Sequence, residues 1–232
     1  MSIRVTPDER AFALDPAAEE QLRNRVDRAL ADVRRAGSVA VAAVTVPVRA
    51  ELDLSAAVLA ARRREDRFVC LEQPDRDGFV LAGLGQAAML QASGGRRFAE
   101  VAAAARELGR TAFADDLAED PSRPPAAGPV FLGGFAFADD GGSSPEWSGL
   151  PPACLVLPEV ALARQGDQAR MTLTAVVQPD DVVEEVVERL LGRVGELRES
   201  AIPLLDPDPV ERTRVASAAP PSHYEHAVAR AV

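Results

Sequence analysis

Two histidines occur in this chain, His223 and His226, three residues apart. At that spacing they share a helix face and could offer two ring nitrogens to a metal ion, but no third ligand stands near them in the sequence. Ser222-His-Tyr-Glu225 has a plainer use: it fits the S-x-x-E box, in which a hydroxyl and a carboxylate each take one orphan N–H at a helix start. Gly83-Leu-Gly-Gln-Ala-Ala88 follows an apolar run and looks like a dinucleotide fingerprint with alanine in third place. A phosphate-binding helix should begin there, yet Gly94-Gly95 breaks the chain soon after. Small residues where a strand leaves a sheet are the better account.

Asp115-Asp116, Asp139-Asp140 and Glu184-Glu185 are paired carboxylates, but each pair falls at a helix end, in a loop or on a polar face. Cys70 and Cys154 lie in apolar, strand-like contexts without a Cys or His at ligand spacing, and read as two buried thiols in a reduced compartment. No Ser-His-Asp or Cys-His set stands out. No residue of the sequence is therefore assigned a catalytic, cofactor-binding or metal-ligating role.

All 26 basic residues are arginine and lysine is absent, which excludes Schiff-base chemistry, a phosphate-loop lysine and a lysine base from within this sequence. Codon bias in the source genome is the simplest origin of an arginine-only, alanine-rich composition. With 36 acidic residues the net charge is −10, which argues against a nucleic-acid partner because phosphate binding needs a basic face. The dense basic cluster Arg62–Arg64 is followed by Glu65 and Asp66 and reads as a solvated helix end. The polar, charged stretch Met1–Arg10 lacks the apolar core of a signal peptide. The longest apolar run, Val39–Val48, has ten residues and includes Pro47, about half of the ~20 that a membrane span needs. A cytoplasmic location with no membrane partner is expected.

The elements that must position these groups follow from periodicity and punctuation. Asp15-Pro16 opens a helix, Leu22, Val26, Ala29, Leu30 and Val33 give its stripe, and Gly37 closes it. Val39–Val48 predicts a strand, and a short Ala/Leu helix runs from Ser55 to the arginines. Phe68–Leu71 and Phe79–Gly83 flank a turn-forming stretch, a hairpin signal. Helical spacing runs over Arg96–Leu117, followed by a Pro-rich loop from Glu119 to Gly128. Pro129–Phe137 predicts a strand interrupted by Gly133-Gly134, and Asp139–Pro152 a loop. Ala153–Leu162 and Met171–Val177 predict a second hairpin about Arg164–Gln168. Asp180 is placed to cap a helix from Asp181 to about Arg198, with a stripe from Val182 to Val194, and a Pro- and Asp-rich connector precedes Ser222. Together they predict an α+β fold with largely antiparallel pairing, one sheet layer with outer helices.

Several segments in series resemble the N-terminal part of isochorismate synthases, of the chorismate-utilising family that includes anthranilate and aminodeoxychorismate synthases. They are Phe68-Val-Cys-Leu-Glu-Gln-Pro74 with Ala82-Gly-Leu-Gly85, Gly94-Gly-Arg-Arg-Phe98, Gly128-Pro-Val-Phe-Leu-Gly-Gly-Phe-Ala-Phe137, Pro145-Glu-Trp147 and Cys154-Leu-Val-Leu-Pro158. Ser222, Tyr224, Val228 and Ala231 are similar to the opening of the family's chorismate-binding segment. The resemblance spans roughly residues 38 to 232 and only the first half of such an enzyme. It implies Mg²⁺-dependent isomerisation of chorismate to isochorismate, in the menaquinone pathway. It also implies that a lysine base, a glutamate acid and Mg²⁺-holding carboxylates lie beyond this sequence.

The resemblance therefore implies an incomplete half of a larger α/β sandwich, with its apolar meeting face exposed and no Mg²⁺ of its own. Residues 1–205 would form the scaffold, 206–221 the connector, and 222–232 the first helix of the catalytic region. That helix has about ten residues before Val232 and no Gly or Asn to stop it, so the C-terminus reads as a cut and the chain alone as inactive. Gly133-Gly134 would allow close backbone packing where two sheets meet. An anthranilate- or salicylate-forming relative, or a non-catalytic binding domain, are the alternative readings.

Overall fold

In the computed structural model, which describes residues 11–116, 124, 126–141, 150–201 and 220–231, the Asp15-Pro16 signal operates as its chemistry dictates. Helix α1 (Pro16–Ala36) starts with Asp15 Oδ1 accepting the Ala18 N–H at 2.7 Å. It ends at Gly37, whose φ of 66° lets its N–H return to the Val33 carbonyl at 2.7 Å. The predicted stripe Leu22, Val26, Ala29, Leu30 and Val33 is buried throughout.

Strand β1 (Ala40–Val48) lies under α1, and helix α2 (Leu54–Ala61) follows, capped by Asp53 Oδ1 on the Ala56 N–H at 2.9 Å. The hairpin β2 (Phe68–Gln73) and β3 (Phe79–Leu84) forms as expected, then β4 (Ala88–Ala92), helix α3 (Arg97–Arg110) and the short β5 (Ala112–Phe113). After β6 (Leu132–Phe135) and β7 (Ala153–Leu157) come β8 (Val160–Gln165), β9 (Gln168–Val177) and helix α4 (Val183–Glu196). These belong to one unit, residues 1–201; a second unit, 202–232, contains helix α5 (Pro221–Ala231).

The fold is α+β and mostly antiparallel. Its strands divide between a six-stranded sheet, ordered β2-β3-β8-β9-β1-β5, and a three-stranded sheet, β4-β7-β6. Among the described residues the β1–β5 pair alone is parallel. One face of the larger sheet carries Ala40, Ala42, Val44, Leu162, Met171, Leu173 and Val177, packed with α1, α2 and α4 into the main core. The opposite face presents small and hydroxyl side chains, Ala43, Ala161, Ala163, Thr172 and Thr174, all buried. There Thr172 Oγ1 meets Thr45 Oγ1 at 3.0 Å and accepts the Gly128 N–H at 3.0 Å, tying the end of the Pro-rich loop to the sheet.

Pro47 is tolerated in β1 for a reason visible in the pairing. Strand β5 covers β1 at Val41 and Ala42, so among the described residues the outer edge beyond has no strand partner and a missing N–H there breaks no ladder bond. The Thr45 N–H on that edge is taken by a carboxylate, Asp115 Oδ2, at 2.7 Å.

Several expectations are corrected. The apolar run Ala153–Leu162 is two strands, because Pro158-Glu159 turns the chain out of the small sheet and into the large one. The helix expected to Leu117 stops at Arg110. Thr111 folds back onto the Leu108 carbonyl through its Oγ1 at 3.0 Å, and Ala112-Phe113 join β1 instead. Asp180 does not cap α4: the Asp181 side chain accepts the Gln178 N–H at 2.8 Å, Arg34 binds the Pro179 and Asp181 carbonyls, and the helix begins only after Val182. Helix α5 begins at Pro221, so Ser222 lies within its first turn and is not the cap of a box at residue 223. Strand β4 had no counterpart in the sequence reading. The connector from 206 to 219, most of the Glu119–Gly128 loop and Pro145-Glu-Trp147 lie outside the described residues.

Candidate functional site

His223 and His226 are both exposed on α5. Among the described residues no group of three His, Cys, Asp or Glu side chains could hold a metal ion. Gly83 lies in β3, Gly85 turns the chain with φ 76°, and Ala88 starts strand β4 where a dinucleotide site would need a helix. A side chain at Gly85 would overlap the Glu159 carboxylate, so this glycine serves packing. Both cysteines are half-buried, not buried as expected. Burial pushes the Cys70 thiol up, the Ser55 side chain opposes this, and the charges of Glu72 and Asp53 add to it. That leaves a thiol, not a reactive thiolate.

The shielded carboxylates are engaged by arginines. Asp115 accepts from Arg25 Nη2 at 2.6 Å and Nη1 at 2.7 Å, and from the Thr45 N–H. Burial pushes its carboxyl up, but the Arg25 bonds and the Thr45 N–H outweigh that and hold it below the usual carboxylate range. Arg193, only 3% exposed, donates to Asp66 at 2.7 Å and Glu196 at 2.6 Å, and its Nε lies 3.4 Å from Glu159. Glu159 is also bound by Arg189. Asp66 too is held low: burial raises it, while the Arg63 N–H and Arg193 lower it further. These pairs join α4 to the Pro158-Glu159 corner and to the segment between α2 and β2.

A second buried arginine, Arg97, stands in the sequence within the Gly94–Phe98 motif. Arg97, 3% exposed, opens α3 and donates to the carbonyls of Gly94, Ala136 and Phe137 at 3.0, 3.0 and 3.1 Å, and to Asp139. The Gly94 N–H returns to the Asp139 carbonyl at 2.7 Å. The chain leaving β6 is thereby clamped to the start of α3. Gly133, one of the paired glycines, packs within the small sheet: a methyl group built on it would overlap the Cys154 carbonyl oxygen of β7. The close approach lies between neighbouring strands, not between sheets as expected. Gly134 has open space where its side chain would be.

Beside these glycines the ends of β2, β3, β6 and β7 enclose two hollows of about 330 and 560 Å³. They share Arg67, Gly134, Leu150 and Cys154. The walls are otherwise apolar, and Arg67 is the charged side chain among the described lining residues. Phe98 of α3 and Phe135 of β6 meet with ring centroids 4.8 Å apart and planes tilted by 33°, and both are about half exposed, at 49% and 45%.

This arrangement can bind, but it lacks the parts for proton transfer: no histidine and no free carboxylate stands at the cleft among the described residues. A comparison with curated proteins finds no significant match. Among solved structures, MenF, the menaquinone-specific isochorismate synthase from Escherichia coli, is similar at 15% identity and a TM-score of 0.44. The match covers 77% of this chain and 36% of that one, so the chain spans about a third of that protein's length. The profile of the family described as chorismate binding enzyme matches residues 28–232, and the chain belongs to that family.

Proposed function

We propose that this chain is the N-terminal, scaffold-forming portion of an isochorismate synthase, and that its complete enzyme converts chorismate to isochorismate with Mg²⁺ in menaquinone synthesis. The family match over residues 28–232 is the observation that carries the reading. Moving a ring hydroxyl by attack of water calls for a base and an acid on opposite faces of the ring. The sequence holds no lysine, and the described residues bring no His–carboxylate or carboxylate–carboxylate pair together at the cleft. The described residues do not fit a Mg²⁺ site either, since no three acids converge and Asp115, Asp66 and Glu159 are taken by arginines. In this proposal the base, the acid and any metal ligands come from residues other than the described ones. What this chain supplies is a preformed support: arginine clamps fix the corner at Pro158-Glu159 and the exit of β6.

Incubation of the purified chain with chorismate and Mg²⁺, followed by chromatographic detection of isochorismate, tests the assignment. No turnover is expected from this chain alone, and turnover is expected from a chain extended through the family's lysine-bearing segment. Substantial turnover by the 232 residues themselves would overturn the scaffold reading.

A further inference from the structure

We infer that the cleft between β2, β3, β6 and β7 is a binding site for a small monocarboxylate with a flat apolar body, separate from the chemistry assigned above. Three observations carry this.

The first is size and lining. The adjoining hollows of about 330 and 560 Å³ fall in the range of small-molecule sites, which are mostly apolar with a few polar groups that orient the ligand. Phe68, Val156 and Leu150 supply apolar wall. The second is that the walls are already built. Gly133 seats β6 directly on the Cys154 carbonyl, the Ala136 N–H bonds the Pro152 carbonyl at 2.7 Å, and Arg97 holds the Ala136 and Phe137 carbonyls. A ligand would meet a formed surface and lose little affinity to ordering it. The third is charge. Arg67 is exposed at the cleft, and no described residue pairs with its guanidinium. A planar guanidinium beside an apolar wall matches a carboxylate carried on a flat body. Arg67 is the charged group among the described lining residues, which favours an anionic ligand. Chorismate itself, with two carboxylates and a hydroxyl, would press polar groups against apolar wall.

Titration calorimetry on the full chain with 2-naphthoate and its neutral counterpart 2-naphthalenemethanol tests the site. The naphthoate is expected to bind with a Kd on the order of 0.1 to 1 mM, and the alcohol roughly tenfold more weakly. Arg67→Gln should bring the naphthoate to the alcohol's affinity and leave the alcohol unchanged. Gly134→Leu places a side chain into open space, so it should leave the melting temperature in place while abolishing binding of both compounds. Equal affinity of the two compounds for the unaltered chain, unchanged naphthoate binding in Arg67→Gln, or retained binding in a folded Gly134→Leu would each overturn the assignment. So would an absence of naphthoate binding. None of these results depends on chorismate turnover, so the site and the isochorismate synthase reading fail separately.

Discussion

Gly133 and Gly134 are neighbours of the same type with opposite roles. Gly133 faces the Cys154 carbonyl, where any side chain collides with backbone that cannot swing aside; Gly134 faces open space. Gly133→Ala should cost about 2–3 kcal/mol in urea unfolding, and Gly134→Ala should be neutral or stabilising by up to about 1 kcal/mol. Equal losses would remove the case for strand seating at Gly133. Asp115 provides a residue-scale test in pH. Its carboxyl titrates lower in the folded chain than in the unfolded one, so its contribution is fully present above the unfolded value near pH 4 and is lost as pH falls through the folded value. Asp115→Asn should lower stability at neutral pH by about 2 kcal/mol and flatten the acid limb of a stability-versus-pH curve. An unchanged acid limb would show that the Arg25 and Thr45 bonds do not set it.

At the scale of elements, caps and buried ion pairs decide where helices start and what they hold. Asp15 caps α1, whereas Asp180 only precedes a turn held by Asp181 and Arg34. Asp15→Ala is therefore expected to lower stability by about 1 kcal/mol, and Asp180→Ala by less than about 0.5, both read from denaturation midpoints. Helix α4 is anchored by Arg193, and Arg193→Met would strand Asp66, Glu196 and Glu159 with less compensating charge. A loss of about 3–5 kcal/mol is expected, because breaking a buried pair leaves unpaired charge behind. A loss below about 1 kcal/mol would mean that solvent already satisfies those acids.

For the molecule as a whole, the main core among the described residues lies between Phe12 and Leu197 and is built mostly from Ala, Val and Leu with few aromatics. Several aromatic side chains are exposed, among them Phe98 on α3, Phe135 on β6 and Phe137 just after it, and Leu150 lies exposed beside the cleft. Apolar area of this kind binds hydrophobic dyes. The double variant Phe135→Ser with Phe137→Ser should lose most of the dye fluorescence at an unchanged melting temperature; undiminished fluorescence would place the dye elsewhere. The inactivity expected of this chain toward chorismate also belongs to this scale, since base, acid and metal ligands must converge from several elements before any one of them matters.

Much of this was readable from the sequence because it rests on local rules. The Asp15-Pro16 start and Gly37 stop of α1 and the β2–β3 hairpin depend on neighbours a few residues away, and the chemistry of those neighbours settles them. The absence of lysine is a sequence fact that no fold can alter. Tertiary structure decided what hinges on partners far along the chain. Ala112-Phe113 continue a helical spacing but gain more by pairing with β1, and Ala153–Leu162 reads as one apolar run although Pro158 divides it between two sheets. Arg25, Arg97 and Arg193 look like any other arginine until burial brings them against a carboxylate or a carbonyl 39 to 127 residues away. Periodicity reports which face of an element is apolar; it carries no information about which distant group will meet a shielded charge, and only the tertiary structure makes that pairing.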